Sequence, residues 1–264
     1  MHQEMNKEVT CLSTGLPSLD EALHGGLCAS DLVILAARPA MGKTALAMSV
    51  ANHVAFHERK PVAVFSLATN RESLISRMLR SMSGIDDASL MKQAPLSDTH
   101  WRRLVTACAQ LYNAPIFIDD TPLLTTTRMK DALTRLASEE KLGLVIVDYI
   151  ERMHGYPTRK HLGHACAALK IVAHELQVPV IALTQLERCL TKRGQKPPAI
   201  SERERAGALR FLADCIWFLY QDDIFLSDIA DTRGTDLIIA KNPRGETGTI
   251  KLIWEPKIMM FSEA

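Results

Sequence analysis

The sequence predicts an α/β fold in which a mostly parallel sheet is covered by helices on both faces. Short apolar runs alternate along the chain with amphipathic segments of helical period, which is the pattern of strands buried between layers of helices. The chain has 264 residues, of which 47% are hydrophobic, so it is long enough to bury one large core. We therefore expect residues 1–264 to form a single α/β domain.

Eight strands are predicted, and helices separate the first five strands from one another. The predicted strands are 31–37, 62–67, 115–119, 143–149, 179–184, 215–220, 236–241 and 248–254. The predicted helices are 43–57, 71–83, 98–112, 127–140 and 162–176. Because the last three strands have no helix between them, we expect an antiparallel or mixed extension at one end of the sheet.

A phosphate-binding loop is predicted where the first strand meets the first long helix. Gly42 lets the backbone approach a phosphate, Lys43 supplies a charge for the β- and γ-phosphates, and Thr44 offers a hydroxyl to Mg²⁺. Backbone N–H groups and the helix dipole complete such a site. The alternative is a chance Gly-Lys-Thr before a helix. The predicted loop is Ala37-Arg38-Pro39-Ala40-Met41-Gly42-Lys43-Thr44.

Two later strands end in polar residues that suit a nucleotide site. Ligands of parallel sheets bind at the carboxyl ends of the strands. Asp148 ends the apolar strand 143–149, where an ATPase holds Mg²⁺ through water; a cap for the next turn is the alternative. Gln185 follows strand 179–184, where its amide could contact the γ-phosphate, and an ordinary polar strand end is the alternative.

Charge and cysteine usage narrow the class of protein. The net charge of +1 argues against a chain that coats nucleic acid by overall positive charge. A basic segment with a net charge of +4 nevertheless follows Gln185, between residues 187 and 210; a solvated loop is the simpler explanation for it.

The six cysteines include no C-x-x-C pair, so neither a zinc site nor a disulfide framework is expected. With no bilayer-length apolar run and no secretory signal, we expect a cytoplasmic protein without a membrane partner.

The chain resembles the C-terminal motor domain of DnaB-type replicative helicases, a family of RecA-like ATPases. The resemblance runs from Ser13 to Phe261, and in that family an alanine at the position of Ala37 is normal. The shared motifs are Ser13-Thr14-Gly15, Leu19-Asp20, Gly25-Gly26-Leu27, the phosphate-binding loop, Phe65-Ser66-Leu67, Ile118-Asp119-Asp120, Asp148-Tyr149, Gln185-Leu186, Gly207, Ala213-Asp214, Lys241, Gly245 and Gly248-Thr249.

The resemblance implies a motor that uses ATP and Mg²⁺ and acts on single-stranded DNA. Family members work as rings of six subunits, so a homo-hexamer or an assembly with a related helicase is implied. The helical N-terminal collar domain of the family is expected to be absent from this chain. Lys43, Thr44, Asp148 and Gln185 match the phosphate, magnesium and sensor positions. Arg193, Arg205 and Gly207 fall in the DNA-binding loops, and Lys241 and Arg244 near the residues that reach a neighbouring subunit's ATP.

Departures from the family pattern place hydrolysis in question. The family has Ser-Leu-Glu after the second core strand, and its glutamate polarises the attacking water, whereas this chain has Ser66-Leu67-Ala68. Glu72 or Glu151 could substitute, although period-two alternation points Glu151 away from the Asp148 face if the strand continues that far. The family also places an arginine two residues after the lysine at Lys241, whereas here the arginine is one position later, at Arg244, directly after Pro243.

Two functions therefore remain open. One is an ATP-dependent DNA helicase, and the other is an ATP-binding relative that does not hydrolyse ATP and serves as a regulatory or structural partner of a helicase. A recombinase or clock-type ATPase is a weaker third hypothesis, because the Arg38-Pro39 loop argues against it.

Overall fold

A computed structural model describes residues 11–91, 96–153, 162–186, 211–221 and 232–264. The strands in these ranges are β1 (Cys11–Leu12), β2 (Leu27–Cys28), β3 (Leu32–Ala37), β4 (Val62–Ser66), β5 (Ile116–Asp119), β6 (Leu144–Asp148), β7 (Val180–Gln185), β8 (Cys215–Tyr220), β9 (Arg233–Lys241), β10 (Gly248–Glu255) and β11 (Met260–Glu263). The helices are α1 (Pro17–Ala22), α2 (Lys43–Phe56), α3 (Arg71–Ser83), α4 (Asp87–Met91), α5 (Asp98–Asn113), α6 (Thr126–Glu139), α7 (Leu162–Leu176) and one 3-10 helix (Ile150–Arg152).

Nine of these strands form one sheet in the order β11-β10-β9-β8-β3-β7-β6-β4-β5. Pairing is parallel from β8 across to β5 and antiparallel from β8 to β11. The predicted fold class, a mostly parallel sheet with a mixed extension, is confirmed. Within the extension, β8 is parallel to β3, and the antiparallel pairing begins with β9.

The central strands are buried because they carry apolar side chains on both faces. Every residue of β3, β4 and β6 is buried, as expected for strands covered on each side. On one face of the sheet, α2 and α3 contribute Leu46, Val50 and Leu74 to the core. On the other face, α6 and α7 contribute Leu133 and Leu169 to a second core. This sandwich fixes the strands whose carboxyl ends form the candidate site.

Helix α5 is only partly buried within the chain. Its apolar stripe, formed by Trp101, Leu104, Val105, Cys108 and Leu111, predicts packing against a core or an interface, and Trp101, Val105 and Cys108 are exposed. Only Ala107 is buried among the residues of α5, and Leu111 packs on the edge of the core from a half-buried position. The helix packs on α3 near the sheet edge at β5.

A short ribbon precedes the sheet and was not predicted. β1 pairs antiparallel with β2, and Cys11 faces Cys28 across it in a disulfide. The expectation that the cysteines lack disulfides is therefore wrong for this pair, because sequence spacing does not show that the segment through α1 brings residues 17 positions apart into register. Cys166 and Cys215 are buried free thiols, as expected. In the described parts of the chain, no helix is both long and apolar enough to cross a membrane.

Candidate nucleotide-binding site

The loop between β3 and α2 has the backbone conformation of a phosphate-binding loop. Gly42 precedes the first residue of α2 with φ of 84°, in the left-handed region that favours glycine. A β-carbon there would lie 2.8 Å from the Phe261 ring, which is stacked against Trp254. Glycine is therefore required at this position by both backbone geometry and space. Ala40 also has positive φ, so the loop is sharply folded back toward the helix.

Lys43 is held at the centre of this loop. The side chain is buried, and Nζ donates hydrogen bonds to the carbonyl oxygens of Ala37 at 3.0 Å and Arg38 at 3.2 Å. Nζ also lies 5.3 Å from the centre of the Tyr149 ring, within range of a cation–π interaction. Burial lowers the pKa of Lys43 to about 8, although the carboxylates of Asp148 and Glu151 oppose that shift. The loop thus fixes an ammonium group whose charge depends on pH.

Thr44 and Asp148 meet across the site. The Thr44 hydroxyl donates to Asp148 Oδ2 at 2.9 Å, which joins the start of α2 to the end of β6. Asp148 is 2% exposed, and its Oδ1 is buried without a hydrogen-bond partner among the described residues. Burial raises the pKa of Asp148, while Thr44 and Lys43 act to lower it. A buried acceptor without a donor is costly, so it indicates a group that binds there.

These two side chains fit a magnesium ion. Mg²⁺ prefers oxygen ligands and is commonly held by one or two protein groups, with waters and phosphate oxygens completing its shell. The described residues contain no cluster of three or more histidine, cysteine, aspartate or glutamate side chains that could hold a metal by themselves. Thr44 and Asp148 are therefore suited to a metal that arrives with a phosphate ligand.

Gln185 ends β7 directly beside the phosphate-binding loop. In the parallel pair of β3 and β7 it lies opposite Ala37, and its side chain is exposed at the sheet edge. Its backbone N–H donates to Glu151 Oε1 at 2.9 Å, and the Thr184 hydroxyl donates to the same oxygen. Lys43, Asp148 and Gln185 thus lie at the same edge of the sheet.

The condition attached to the expected direction of Glu151 is not met. The alternation argument needs β6 to continue, but β6 ends at Asp148, and Tyr149 has φ of 70° and ψ of 95°. The chain then enters the 3-10 helix and turns Glu151 toward the end of β7. A tyrosine with positive φ is strained, by on the order of 1–3 kcal/mol, and the sequence pattern gives no sign of it.

Ala68 lies just beyond β4, beside the end of β6. Ser66 pairs with Asp148, and the Leu67 N–H donates to the Asp148 carbonyl at 3.0 Å. A methyl group at Ala68 can neither accept nor donate a proton. Glu72, the other carboxylate considered as a substitute, lies in the first turn of α3, and it is not among the groups that shift the pKa of Lys43 or Asp148.

Lys241 and Arg244 lie at the opposite edge of the sheet from the loop. Lys241 ends β9 opposite Ile216, near the start of β8, and donates to the Ala213 carbonyl. The Arg244 guanidinium forms a two-pronged ion pair with Asp31, at 2.6 and 2.7 Å, just before β3 begins. The length of β3, about 17 Å, separates Arg244 from the loop of its own chain. The predicted DNA-binding residues Arg193, Arg205 and Gly207 lie outside the described residues.

The fold and this site define the chain as a RecA-like P-loop nucleotide-binding domain. The family model for the DnaB-like helicase C-terminal domain matches residues 11–263. The chain therefore belongs to the DnaB-like helicase C-terminal domain family.

Individual relatives agree with this assignment. The chain is 36% identical over 250 residues to the replicative DNA helicase DnaB of Geobacillus stearothermophilus, covering 93% of this chain and 55% of that protein. It is 36% identical over 259 residues to the replicative DNA helicase DnaC of Bacillus subtilis, covering 96% and 57%. A solved structure of a DnaB-like replicative helicase and its interactions with primase matches with a TM-score of 0.86 and 27% identity, covering 97% of this chain and 62% of that chain. The chain thus spans little more than half the length of these curated relatives.

The lowered pKa of Lys43 predicts that the loop binds a triphosphate less tightly at alkaline pH. Only the ammonium form attracts phosphate, and with a pKa of about 8 that form decreases from about 90% of molecules at pH 7 to about 10% at pH 9. We expect the Kd for ATP, measured by equilibrium titration, to rise about tenfold over this range. A Lys43→Arg variant keeps its charge, so its Kd should change far less, and an equally flat profile for the unmodified chain would contradict the prediction.

The Asp31 pair predicts that Arg244 stabilises its own chain. Asp31 is 7% exposed in its side chain, so Arg244→Ala leaves a nearly buried carboxylate without its partner. We expect a loss of about 2–4 kcal/mol in the free energy of unfolding, measured in urea without nucleotide. The Asp31→Asn/Arg244→Ala double variant should recover part of that loss. If Arg244→Ala does not alter the stability of the isolated chain, the ion pair has no structural role.

Proposed function

We propose that this chain is the ATP-driven motor of a DnaB-type replicative DNA helicase in the cytoplasm. The observation that carries the proposal is the meeting of Lys43, Thr44 and Asp148 at the carboxyl ends of the parallel strands β3 and β6, which flank β7, in a chain of the DnaB-like family. Folded this way, the loop offers backbone N–H groups, a helix N-terminus and an ammonium to a triphosphate. Gly42 keeps the loop open to a close backbone approach.

Bound Mg²⁺ would neutralise charge on the β- and γ-phosphates. Thr44 and Asp148 are the residues suited to hold it, since their oxygens lie 2.9 Å apart and Asp148 Oδ1 has no donor among the described residues. Lys43 orients the phosphates, and Gln185 at the adjacent strand end is placed to respond to the terminal phosphate. The residues of this chain thus bind and orient the triphosphate before any bond is broken.

A ring of copies is the assembly that fits the two edges of the sheet. Lys241 and Arg244 are too far from the loop of their own chain to contact a nucleotide bound there. If these cations act on ATP, the nucleotide must belong to a neighbouring subunit. For Arg244 that role also requires its ion pair with Asp31 to open. Single-stranded DNA would be bound by Arg193, Arg205 and Gly207, whose positive and backbone N–H groups suit phosphate contacts.

The alternative is an ATP-binding partner of a helicase that does not hydrolyse ATP. It rests on Ala68, which removes a carboxylate from the end of β4. The relatives are named replicative helicases, and a second carboxylate stands at the site in Glu151. The motor function is therefore the better supported of the two.

The proposal predicts ATP turnover that single-stranded DNA stimulates and that depends on Lys43. Lys43→Ala removes the ammonium from the loop, and we expect the rate of phosphate release to decrease at least 100-fold, because electrostatic stabilisation at the phosphates is lost. The measurement is steady-state phosphate release with and without a single-stranded oligonucleotide. Lys130→Ala is a suitable control, since Lys130 of α6 forms an exposed ion pair with Glu175 of α7 and takes no part in the phosphate-binding loop. Turnover in the unmodified chain no faster than in Lys43→Ala would refute the motor function.

A further inference from the structure

We propose that Glu151 is the catalytic carboxylate of this chain and activates the attacking water in place of the side chain missing at Ala68. The inference rests on the proposed function, since it assigns a residue to the hydrolysis of ATP.

Glu151 lies at the ends of β6 and β7, the two strands that separate β3 from β4 in the sheet. The sheet order β3-β7-β6-β4 puts β7 next to the strand that carries the loop, and β6 next to β7. Glu151 follows β6 and is hydrogen-bonded to the end of β7. Ala68 follows β4, which is three strands, or about 14 Å, away from β3. A carboxylate at Glu151 therefore needs no longer a reach than one at Ala68.

The carboxylate is fixed by two donors on one of its oxygens. The Gln185 N–H and the Thr184 hydroxyl both donate to Oε1. No described residue donates to Oε2, and the residue is exposed at the sheet edge. One oxygen is thus used for orientation, while the other is available to a water molecule. A base that is held in this way loses little freedom when it engages its substrate.

The electrostatic neighbourhood places Glu151 close to the groups of the site. Its charge contributes to the pKa shifts of Lys43, Asp148 and Tyr149. Glu72 contributes to none of these shifts. The neutral amide of Gln185 is a poor proton acceptor, and Asp148 is buried and bonded to Thr44 at the metal-binding position. Of the two carboxylates that act on the pKa of Lys43, Glu151 is therefore the one left to act on a water.

The backbone supports the assignment. Tyr149 adopts positive φ immediately after β6, and strain of this kind persists where the surrounding structure holds it. The conformation ends β6 at Asp148, so that Glu151 turns toward β7 instead of continuing along the strand. The strained turn thus positions the carboxylate.

The chemical step balances with water as the only co-reactant. Glu151 Oε2 accepts a proton from the water as its oxygen bonds to the γ-phosphorus, and the bond between that phosphorus and the oxygen of ADP breaks. The products are ADP and inorganic phosphate, and Glu151 then returns its proton to solvent. A positioned base of this kind contributes about 10²- to 10⁴-fold in rate.

The test compares ATP binding with ATP hydrolysis in the full chain. Glu151→Gln keeps the size and hydrogen-bonding capacity of the side chain but cannot accept a proton. We expect its rate of single-turnover hydrolysis to decrease at least 100-fold, while its Kd for ATP changes less than threefold. Nucleotide recovered from the variant after incubation should be ATP, whereas the unmodified chain should release ADP. Glu72→Gln and the exposed Glu139→Gln should both keep rates within twofold of the unmodified chain.

A second variant separates loss of the base from damage to the site. Adding Ala68→Glu to Glu151→Gln returns a carboxylate to the end of β4, and we expect this to restore at least tenfold of the lost rate. Hydrolysis by Glu151→Gln at the unmodified rate, or loss of hydrolysis in Glu72→Gln instead, would overturn the inference and leave the motor function standing. An unmodified chain that binds ATP without hydrolysing it would overturn the inference and favour the non-hydrolysing partner. An unmodified chain that does not bind ATP would refute both proposals.

Discussion

The parallel pairing of β3 with β7, and of β7 with β6, is the constraint on which the candidate site depends. It places Ala37 opposite Gln185, and Asp148 opposite Leu183, so that three loops leave the sheet at one edge. Each strand is buried on both faces, which holds the register firmly because a slip of one residue would turn its side chains to the opposite face. The Thr44 hydroxyl then joins α2 to β6. The site is therefore a consequence of core packing and needs no rearrangement of the strands.

Much of this arrangement can be predicted from sequence because the strands are apolar runs bounded by helices. The predicted strands and helices of the central sheet fall within two residues of their observed bounds, except that β9 begins three residues earlier than expected. The edge strand β11 has no predicted counterpart. The phosphate-binding loop and Asp148 follow from the same pattern, since each ends a buried strand. What sequence could not give are features set by contacts between distant residues. The disulfide of Cys11 with Cys28 and the exposed face of α5 both depend on where a neighbour lies.

Glu151 illustrates a further limit of sequence patterns. Strand periodicity assigns a direction to each side chain only as far as the strand continues, and no residue type announces that β6 stops at Asp148. Tyrosine is a poor choice for positive φ, so local propensity argues against the turn that the fold adopts at Tyr149. Tertiary contacts set the direction of Glu151, because the end of β7 offers two hydrogen-bond donors and the carboxylate of Glu151 accepts from both.

Charged residues lie at both edges of the sheet, and the two groups differ in how free they are to contact a nucleotide. At the carboxyl edge, the carboxylates of Asp148 and Glu151 both act on the Lys43 ammonium. A Mg²⁺ ion bound there would add positive charge beside the carboxylates and leave the ammonium to face the phosphates. At the opposite edge, Arg244 is already neutralised by Asp31 in a pair that is mostly buried. To reach a neighbour's phosphate, Arg244 would have to break this two-pronged pair. The nearly buried carboxylate of Asp31 would then lose its counter-charge, and that energetic cost would oppose the movement. Any contribution of Arg244 to a neighbouring subunit's nucleotide therefore competes with the stability of its own subunit.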